Sequence, residues 1–327
     1  MKALVLGASG QMGRAVAAAL AAAGWQVDAA TGGGRPLPEG LAGVRRIDAG
    51  PLPAMLGGGA DLVFDPFCMT AADAAARLTC RADIGRLVVV STASVYADAA
   101  GRSLESAGET GYPQFAGPVD EGQATVPPGD GYSAGKVAME RAFRDSGAPV
   151  TLLRPGAIHG PGARHPREWV VVKRLLDGRD RIAVVDRGEN RFATTAAQNV
   201  APAVLAAQAA GLDGPLNVAD PDRPNVAQII LHIAAAMGRE VAVVPVADDS
   251  GAGGTPWSVG HPFLLDTGRL DRAGWRPLSY AQALPPYLDW MLARAGDWQA
   301  AFPTFAHYPS DPFDYATEDA ALAGAVP

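Results

Sequence analysis

A short apolar run, Lys2-Ala-Leu-Val-Leu6, leads straight into Gly7-Ala-Ser-Gly10-Gln-Met-Gly13 and then into an alanine-rich stretch over 14–23. That order leaves few folds open, because it reads as strand, glycine turn and helix. Gly7 permits the tight turn, Gly10 lets a phosphate approach the backbone, and Gly13 lets the helix pack closely on the strand. A dinucleotide pyrophosphate would sit at the start of such a helix, where free N–H groups and the helix dipole favour an anion. The spacing is GxxGxxG, one residue wider than the common GxGxxG fingerprint, and Ser9, Gln11 and Met12 complete the candidate cofactor turn.

Later runs repeat the pattern. Residues 24–30 read as a turn and second strand, 44–47 as a short strand ending at Asp48, and 61–65, 87–91 and 150–154 as continuous apolar strands. A helical segment over 70–81 and another around Tyr132 lie between them. Strands alternating with helices predict an α/β fold, a Rossmann-type doubly wound parallel sheet covered on both faces. Ligands of such sheets bind at the C-terminal ends of the strands. From about residue 155 the alternation weakens, with Pro155-Gly156, Gly160-Pro161-Gly162 and 221–224 separating short elements. The expected division is an NAD(P)-binding domain over 1–154, with returns near 192–220, and a smaller irregular substrate-binding region over 155–191 and 221–327. The tail from 296 carries Trp298, Phe302, Phe305, Tyr308, Phe313 and Tyr315, and so many aromatics argue for packing onto the body.

A net charge of -7 and an acidic pI near 5.2 argue against a nucleic-acid or anionic-membrane surface, so the expected partner is a small molecule. Cys68 and Cys80 have no metal-type spacing and read as buried thiols in a reducing compartment, with no metal site. There is no basic n-region followed by a long apolar stretch, and no charge-free apolar run of about 18 residues, so a cytoplasmic location is expected.

The chemistry is carried by Tyr132-Ser133-Ala134-Gly135-Lys136, whose first and last residues stand one turn apart on one helix face. A lysine ammonium near a phenol stabilises the phenolate, so the tyrosine's proton becomes easier to give and take near neutral pH. With GxxGxxG at the start, Ser91-Thr92-Ala93-Ser94-Val95-Tyr96 after a strand, and YxxxK further on, the chain resembles the extended short-chain dehydrogenase/reductase superfamily, in its NAD-dependent epimerase/dehydratase-like branch. Leu153-Arg154-Pro155-Gly156 with His159-Gly160-Pro161-Gly162 is similar to that branch's LRP turn. So are Arg191-Phe192 through Asn199-Val200-Ala201 to its R-x-F segment, and Ala273-Gly274-Trp275-Arg276-Pro277 to its C-terminal LGW-x-P.

The resemblance implies the following roles. Tyr132 would be the general acid/base on a hydroxyl or carbonyl oxygen, Lys136 would hold the nicotinamide ribose, and Thr92 would bond the same oxygen, with Ser91 as the adjacent alternative. Asp48 would accept from the adenine amino group, and Pro155 would border the cofactor. Ser94, Tyr96, His159 and Arg191 would face the substrate, and His159 and His165 flank Arg164 near the expected cleft. Trp169 and Trp257 read as core. Three departures bear on the activity. Where NAD-preferring relatives end the second strand in an acidic residue, this chain has Thr31, then Gly32-Gly33-Gly34-Arg35, which tilts the expected cofactor to NADP, with NAD the alternative. Ala157 stands where nucleotide-sugar epimerases carry asparagine, and Asn199 replaces their Asp. The expected activity is therefore an NAD(P)-dependent oxidoreductase transferring a hydride at a carbonyl or alcohol carbon of a small molecule. The alternative is a nucleotide-sugar epimerase or dehydratase with tightly held NAD. A non-catalytic cofactor-sensing or RNA-associated relative is disfavoured by the presence of Tyr132, Lys136 and Thr92 and by the acidic charge. A homodimer would form through the helix carrying YxxxK and its neighbour over 70–81.

Overall fold

The computed structural model describes residues 1–308 and 310–325. The first half alternates strand and helix: β1 (Lys2–Leu6), α1 (Gln11–Ala22), β2 (Gln26–Thr31), β3 (Val44–Asp48), α2 (Leu52–Leu56), β4 (Ala60–Asp65), α3 (Ala71–Leu78), β5 (Ile84–Val90), the short α4 (Ala107–Thr110), α5 (Tyr132–Asp145) and β6 (Val150–Pro155). The second half is more broken: β7 (Ala157–His159), α6 (Trp169–Leu176), β8 (Arg181–Val184), β9 (Thr194–Ala196), α7 (Ala197–Ala210), β10 (Gly214–Val218), α8 (Val226–Ala236), β11 (Ala242–Pro245), α9 (Gly268–Arg272), α10 (Tyr280–Leu292), α11 (Trp298–Ala301) and α12 (Tyr315–Gly324).

Seven strands form one parallel sheet in the order β10-β6-β5-β4-β1-β2-β3. Side chains alternate across it, which explains why the strands are apolar throughout. Ala3, Val5, Leu62, Phe64, Val88 and Leu153 face a core shared with α1 and α7, whereas Leu4, Leu6, Val63, Leu87, Val89 and Leu152 face one shared with α3 and α5. Asp28 is the exception inside β2, and its buried carboxylate is matched by the Arg45 guanidinium at 2.7 and 2.6 Å. Cys68 and Cys80 lie buried in the second of these cores as free thiols.

The cap has a core of its own, in which α6, α8 and α10 enclose Trp169, Ile230, Tyr280 and Tyr287, and β8 pairs with β11. The aromatic tail packs there: Phe302 and Phe305 are buried, and the Trp169 and Phe302 rings meet at 5.0 Å. Trp257 is also buried in this core. Residues near 192–218 return to the sheet through α7 and β10, and a further return comes from Leu270 and Trp275, which pack in the α1–α7 layer. The indole of Trp275 donates to the Asn199 carbonyl at 3.1 Å. That second return crosses the expected boundary, because the helix layer of the sheet is completed by residues remote in sequence. Among the described residues no helix is long and apolar enough to cross a membrane.

Candidate active site

β1 lies where the strand order turns back, the place at which a doubly wound sheet opens a crevice. A cleft of about 670 Å³ opens there, and its floor is the residue just past each of four strands: Gly7 after β1, Pro66 after β4, Ser91 after β5 and Gly156 after β6. One wall is the first turn of α1, with Gly10, Gln11, Met12 and Gly13, and another is α5, with Tyr132 and Lys136. Arg164, His165, Arg167, Phe192 and Phe263 close the cleft from the cap side.

The start of α1 has the character an anion site needs. Gly7 takes a left-handed φ of +67°, and a Cβ on Gly13 would stand 2.3 Å from the Gly7 carbonyl oxygen, so the strand and helix could not approach with a side chain there. Gly10 caps the helix without a side-chain acceptor, and the first turn carries no acidic residue. Its N–H groups therefore point unpaired into the cleft. The Gly160–Gly162 turn leans on the same helix start, where the Gln11 Nε2 donates to the Gly160 carbonyl at 3.3 Å. These residues fit a dinucleotide pyrophosphate.

Tyr132 opens α5 and is half-exposed, while Lys136, one turn on, is buried. Lys136 Nζ donates to the Cys68 carbonyl at 2.8 Å and the Val90 carbonyl at 2.6 Å. Two backbone carbonyls thus hold Lys136, with one N–H left for a ligand. Burial pulls Lys136 below its ordinary value, and burial pushes the Cys68 thiol up to about 12, leaving it inert as a nucleophile. Thr92 Oγ1 accepts from the Ser94 N–H at 3.1 Å, which leaves its own proton free to donate into the cleft. The Ser94 and Ser133 hydroxyls share a bond of 2.8 Å.

Other expected site residues stand elsewhere. Ser91 borders the cleft, but its hydroxyl donates backwards to Glu140 at 2.5 Å, beside the buried Glu140–Arg154 ion pair. Tyr96 is buried beneath the Arg154 guanidinium and donates to Asn217 Oδ1 at 2.7 Å, so it supports the floor instead of facing substrate. His159 turns inward to Asp220, at 2.6 Å, while its neighbours Ala157 and Ile158 line the cleft. Arg191 donates to the Arg223 carbonyl outside the cleft. Ser9, Thr31, Arg35 and Asp48 also lie outside it. Asp48, expected at the adenine, ends the edge strand largely exposed and ion-paired with Arg46. Pro155 lines the cleft.

Several residues escaped the sequence reading, Arg167 and Phe263 on the cap side among them. Arg46 Nε bonds both Thr31 Oγ1, at 3.1 Å, and the Arg35 carbonyl, at 2.9 Å, which brings a second guanidinium to the end of β2. Register supplied no signal for it beyond the parallel pairing of β2 with β3. Phe67 is 58% exposed, with its ring in the notch left by the missing Cβ of Gly7. Glu105 reaches from a distant loop to the backbone of Tyr132. His165 shares a hydrogen bond with the Tyr308 hydroxyl of the tail, and burial together with the nearby Arg167 lowers its imidazole to about 4. It is therefore neutral at pH 7, and the cationic groups at this mouth are Arg164 and Arg167. Among the described residues, no group of three or more His, Cys, Asp or Glu side chains is placed to hold a metal ion.

Residues 69–219 match the model of the NAD dependent epimerase/dehydratase family. A 2'-dehydrokanamycin reductase of Streptomyces kanamyceticus is 35% identical over 179 residues, 50% of this chain and 44% of its own length, so the chain spans less than half of that relative. Among solved structures, the UDP-glucose 4-epimerase of Thermus thermophilus in complex with NAD superposes with a TM-score of 0.65 at 19% identity, over 89% of this chain and 99% of the other. The UDP-N-acetylglucosamine 4-epimerase of Methanobrevibacter ruminantium gives 0.66 at 18%, over 90% and 98%. With its parallel sheet, glycine turn and YxxxK helix, the chain shares the fold of these epimerases, and its residues 69–219 are similar to the NAD dependent epimerase/dehydratase family.

Proposed function

We propose that this chain is a reductase or dehydrogenase that prefers NADP and acts at a carbonyl or alcohol carbon of a small polar molecule, with Tyr132 as general acid/base. The observation that carries the reading is the convergence of Tyr132, Lys136, Thr92 and the uncapped start of α1 on one cleft. A nicotinamide dinucleotide would supply or take the hydride at carbon. In the reductive direction the Tyr132 hydroxyl gives its proton to the carbonyl oxygen and regains one from water at its exposed face, while Thr92 donates a hydrogen bond to the same oxygen. Lys136, held by two carbonyls, keeps one donor for the ribose. Arg35 and Arg46 at the end of β2 support a 2'-phosphate, and no carboxylate ends that strand to bind a 2'-hydroxyl.

The relative named as a 2'-dehydrokanamycin reductase supports a reductive reaction on a small polar molecule. Arg164 and Arg167 at the mouth favour one that is neutral or anionic on that side. The second reading, an epimerase or dehydratase with retained NAD, draws on the family match and the NAD-bound fold neighbour. Identifying the nucleotide released from purified protein, then titrating emptied protein with NADPH and NADH, separates them. Exchangeable binding with NADPH preferred supports the reductase, stoichiometric retained NAD supports the second reading, and binding of neither sinks both. Arg46→Ser is expected to weaken NADPH about tenfold and leave NADH unchanged, the scale of one charge-assisted contact. Tyr132→Phe is expected to lower hydride transfer by about 10²–10⁴ with dinucleotide affinity retained.

A further inference from the structure

The cap side of the cleft carries two kinds of side chain. Leu104, Ile158, Phe192 and Phe263 give it an apolar face, and the rings of Phe115 and Phe192 flank Phe263 at 5.5 and 5.8 Å. Beside that face stand the exposed Arg164 and the half-buried Arg167. Elsewhere Arg77 meets Asp65 at 2.8 Å and Arg154 meets Glu140, but neither Arg164 nor Arg167 forms an ion pair among the described residues. The segment that bears them is pinned by the tail: Thr304 donates to the Arg164 carbonyl at 2.6 Å, and the Tyr308 hydroxyl shares a hydrogen bond with His165. The chain has 34 acidic residues against 27 basic ones, yet Lys136, Arg164 and Arg167 line the cleft and, among the described residues, no Asp, Glu or Asn does. Its one amide side chain, Gln11, is held at the start of α1 by the Gly160 carbonyl.

These linings decide what body a substrate can have. A polyhydroxylated ring brings a donor at every hydroxyl, and each one buried without an acceptor costs affinity. The hydroxyls of Thr92, Ser94 and Tyr132 are grouped where the reacting oxygen would be held, which leaves the apolar face without acceptors for a sugar's remaining hydroxyls. An apolar ring gains by covering Phe192 and Phe263, and an anion gains from a half-buried guanidinium that no carboxylate of the protein neutralises. We propose that the substrate is an anionic carbonyl compound with an apolar ring, its anionic group on Arg167 and its ring against Phe192 and Phe263. The inference rests on the reading of Tyr132 and Thr92 as the groups that hold the reacting oxygen. It narrows the substrate of that reaction to an aryl or alicyclic ketone bearing a carboxylate or a phosphate ester, and a sugar falls outside it.

The test is calorimetric titration of the protein, with and without saturating NADP, using four probes. Mandelate and mandelamide share a phenyl ring and differ in charge, whereas phenyl phosphate and glucose 6-phosphate share an anionic group and differ in body. The first of each pair is expected to bind about tenfold tighter than the second, and the tighter of mandelate and phenyl phosphate names the anion. Arg167→Gln is expected to erase the advantage of mandelate over mandelamide, and Arg167→Lys, which keeps the charge, to retain most of it. Phe192→Ala is expected to weaken both about fivefold. The wild-type pairs carry the test if a variant fails to fold. Equal binding within either pair, or no binding of mandelate and phenyl phosphate, overturns the proposal. Turnover is read separately by NADPH absorbance, since benzoylformate, NADPH and one proton give mandelate and NADP⁺. Selective binding without NADPH oxidation would sink the reductase reading and leave the ligand class standing, so the two failures are told apart.

Discussion

Phe67 is an aromatic ring left in water at the edge of the cleft proposed for the dinucleotide, against a glycine whose missing Cβ makes room for it. Covering the remaining face on binding recovers part of the 1.5–3 kcal/mol of a fully buried Phe, about 1 kcal/mol. Phe67→Ala is accordingly expected to weaken NADPH about fivefold by calorimetric titration, with an unchanged melting temperature for the free protein; an unchanged affinity would place the ring outside the bound cofactor's reach. His165 yields a pH prediction. The folded protein holds it neutral down to about 4 by burial and the Arg167 charge, whereas the unfolded chain takes up a proton near 6.5. The unfolded state therefore binds more protons between those values, and stability rises with pH across that window. The acid-induced fall in melting temperature from pH 7 to 5 is expected to be smaller in His165→Gln than in wild type; parallel curves would refute it.

Among elements, β7 shows what a motif can and cannot specify. The turn His159-Gly160-Pro161-Gly162 was legible as a motif, yet in a three-residue strand alternate side chains face opposite ways, and Ile158 turns to the cleft while the buried His159 turns from it. Its partner Asp220 also accepts from the Ala196 N–H at 2.7 Å and from Asn199 at 2.8 Å, so one buried carboxylate ties β7, β9 and α7 together. Burial opposes both charges, but each partner overcomes it, raising His159 and lowering Asp220. The histidine's contribution is complete below its unfolded value and fades as pH rises through its raised native one; the aspartate's is complete above its unfolded value and fades on acidification. Asp220→Asn, which strands the imidazole, is expected to cost about 3 kcal/mol in urea unfolding near neutral pH. A loss below about 1 kcal/mol would mean that the neutral pair suffices.

Across the molecule, sheet and cap meet at one cleft, the sheet side supplying Gly7, Thr92 and Lys136 and the other Arg167, Phe192 and Phe263. A ligand that touches both sides should stabilise both. NADPH at 100 times its dissociation constant is expected to add about 2.7 kcal/mol and to move one melting transition upward; two transitions of which one shifts would show that sheet and cap unfold separately. The parallel sheet, the glycine turn and the Tyr132–Lys136 helix were all legible in the order of residues, because each depends on local periodicity or on spacing within one turn. So were the strand ends that meet the ligand, since in a parallel sheet these all lie at one edge. What surrounds them came from the packed fold. Arg46 reached Thr31 through strand register, Glu105 reached Tyr132 across 27 residues, and Leu270 and Trp275 came back to α1 and α7 from the far end of the chain. Contacts of that range are set by how packed layers juxtapose remote segments, and no local pattern of residues records them.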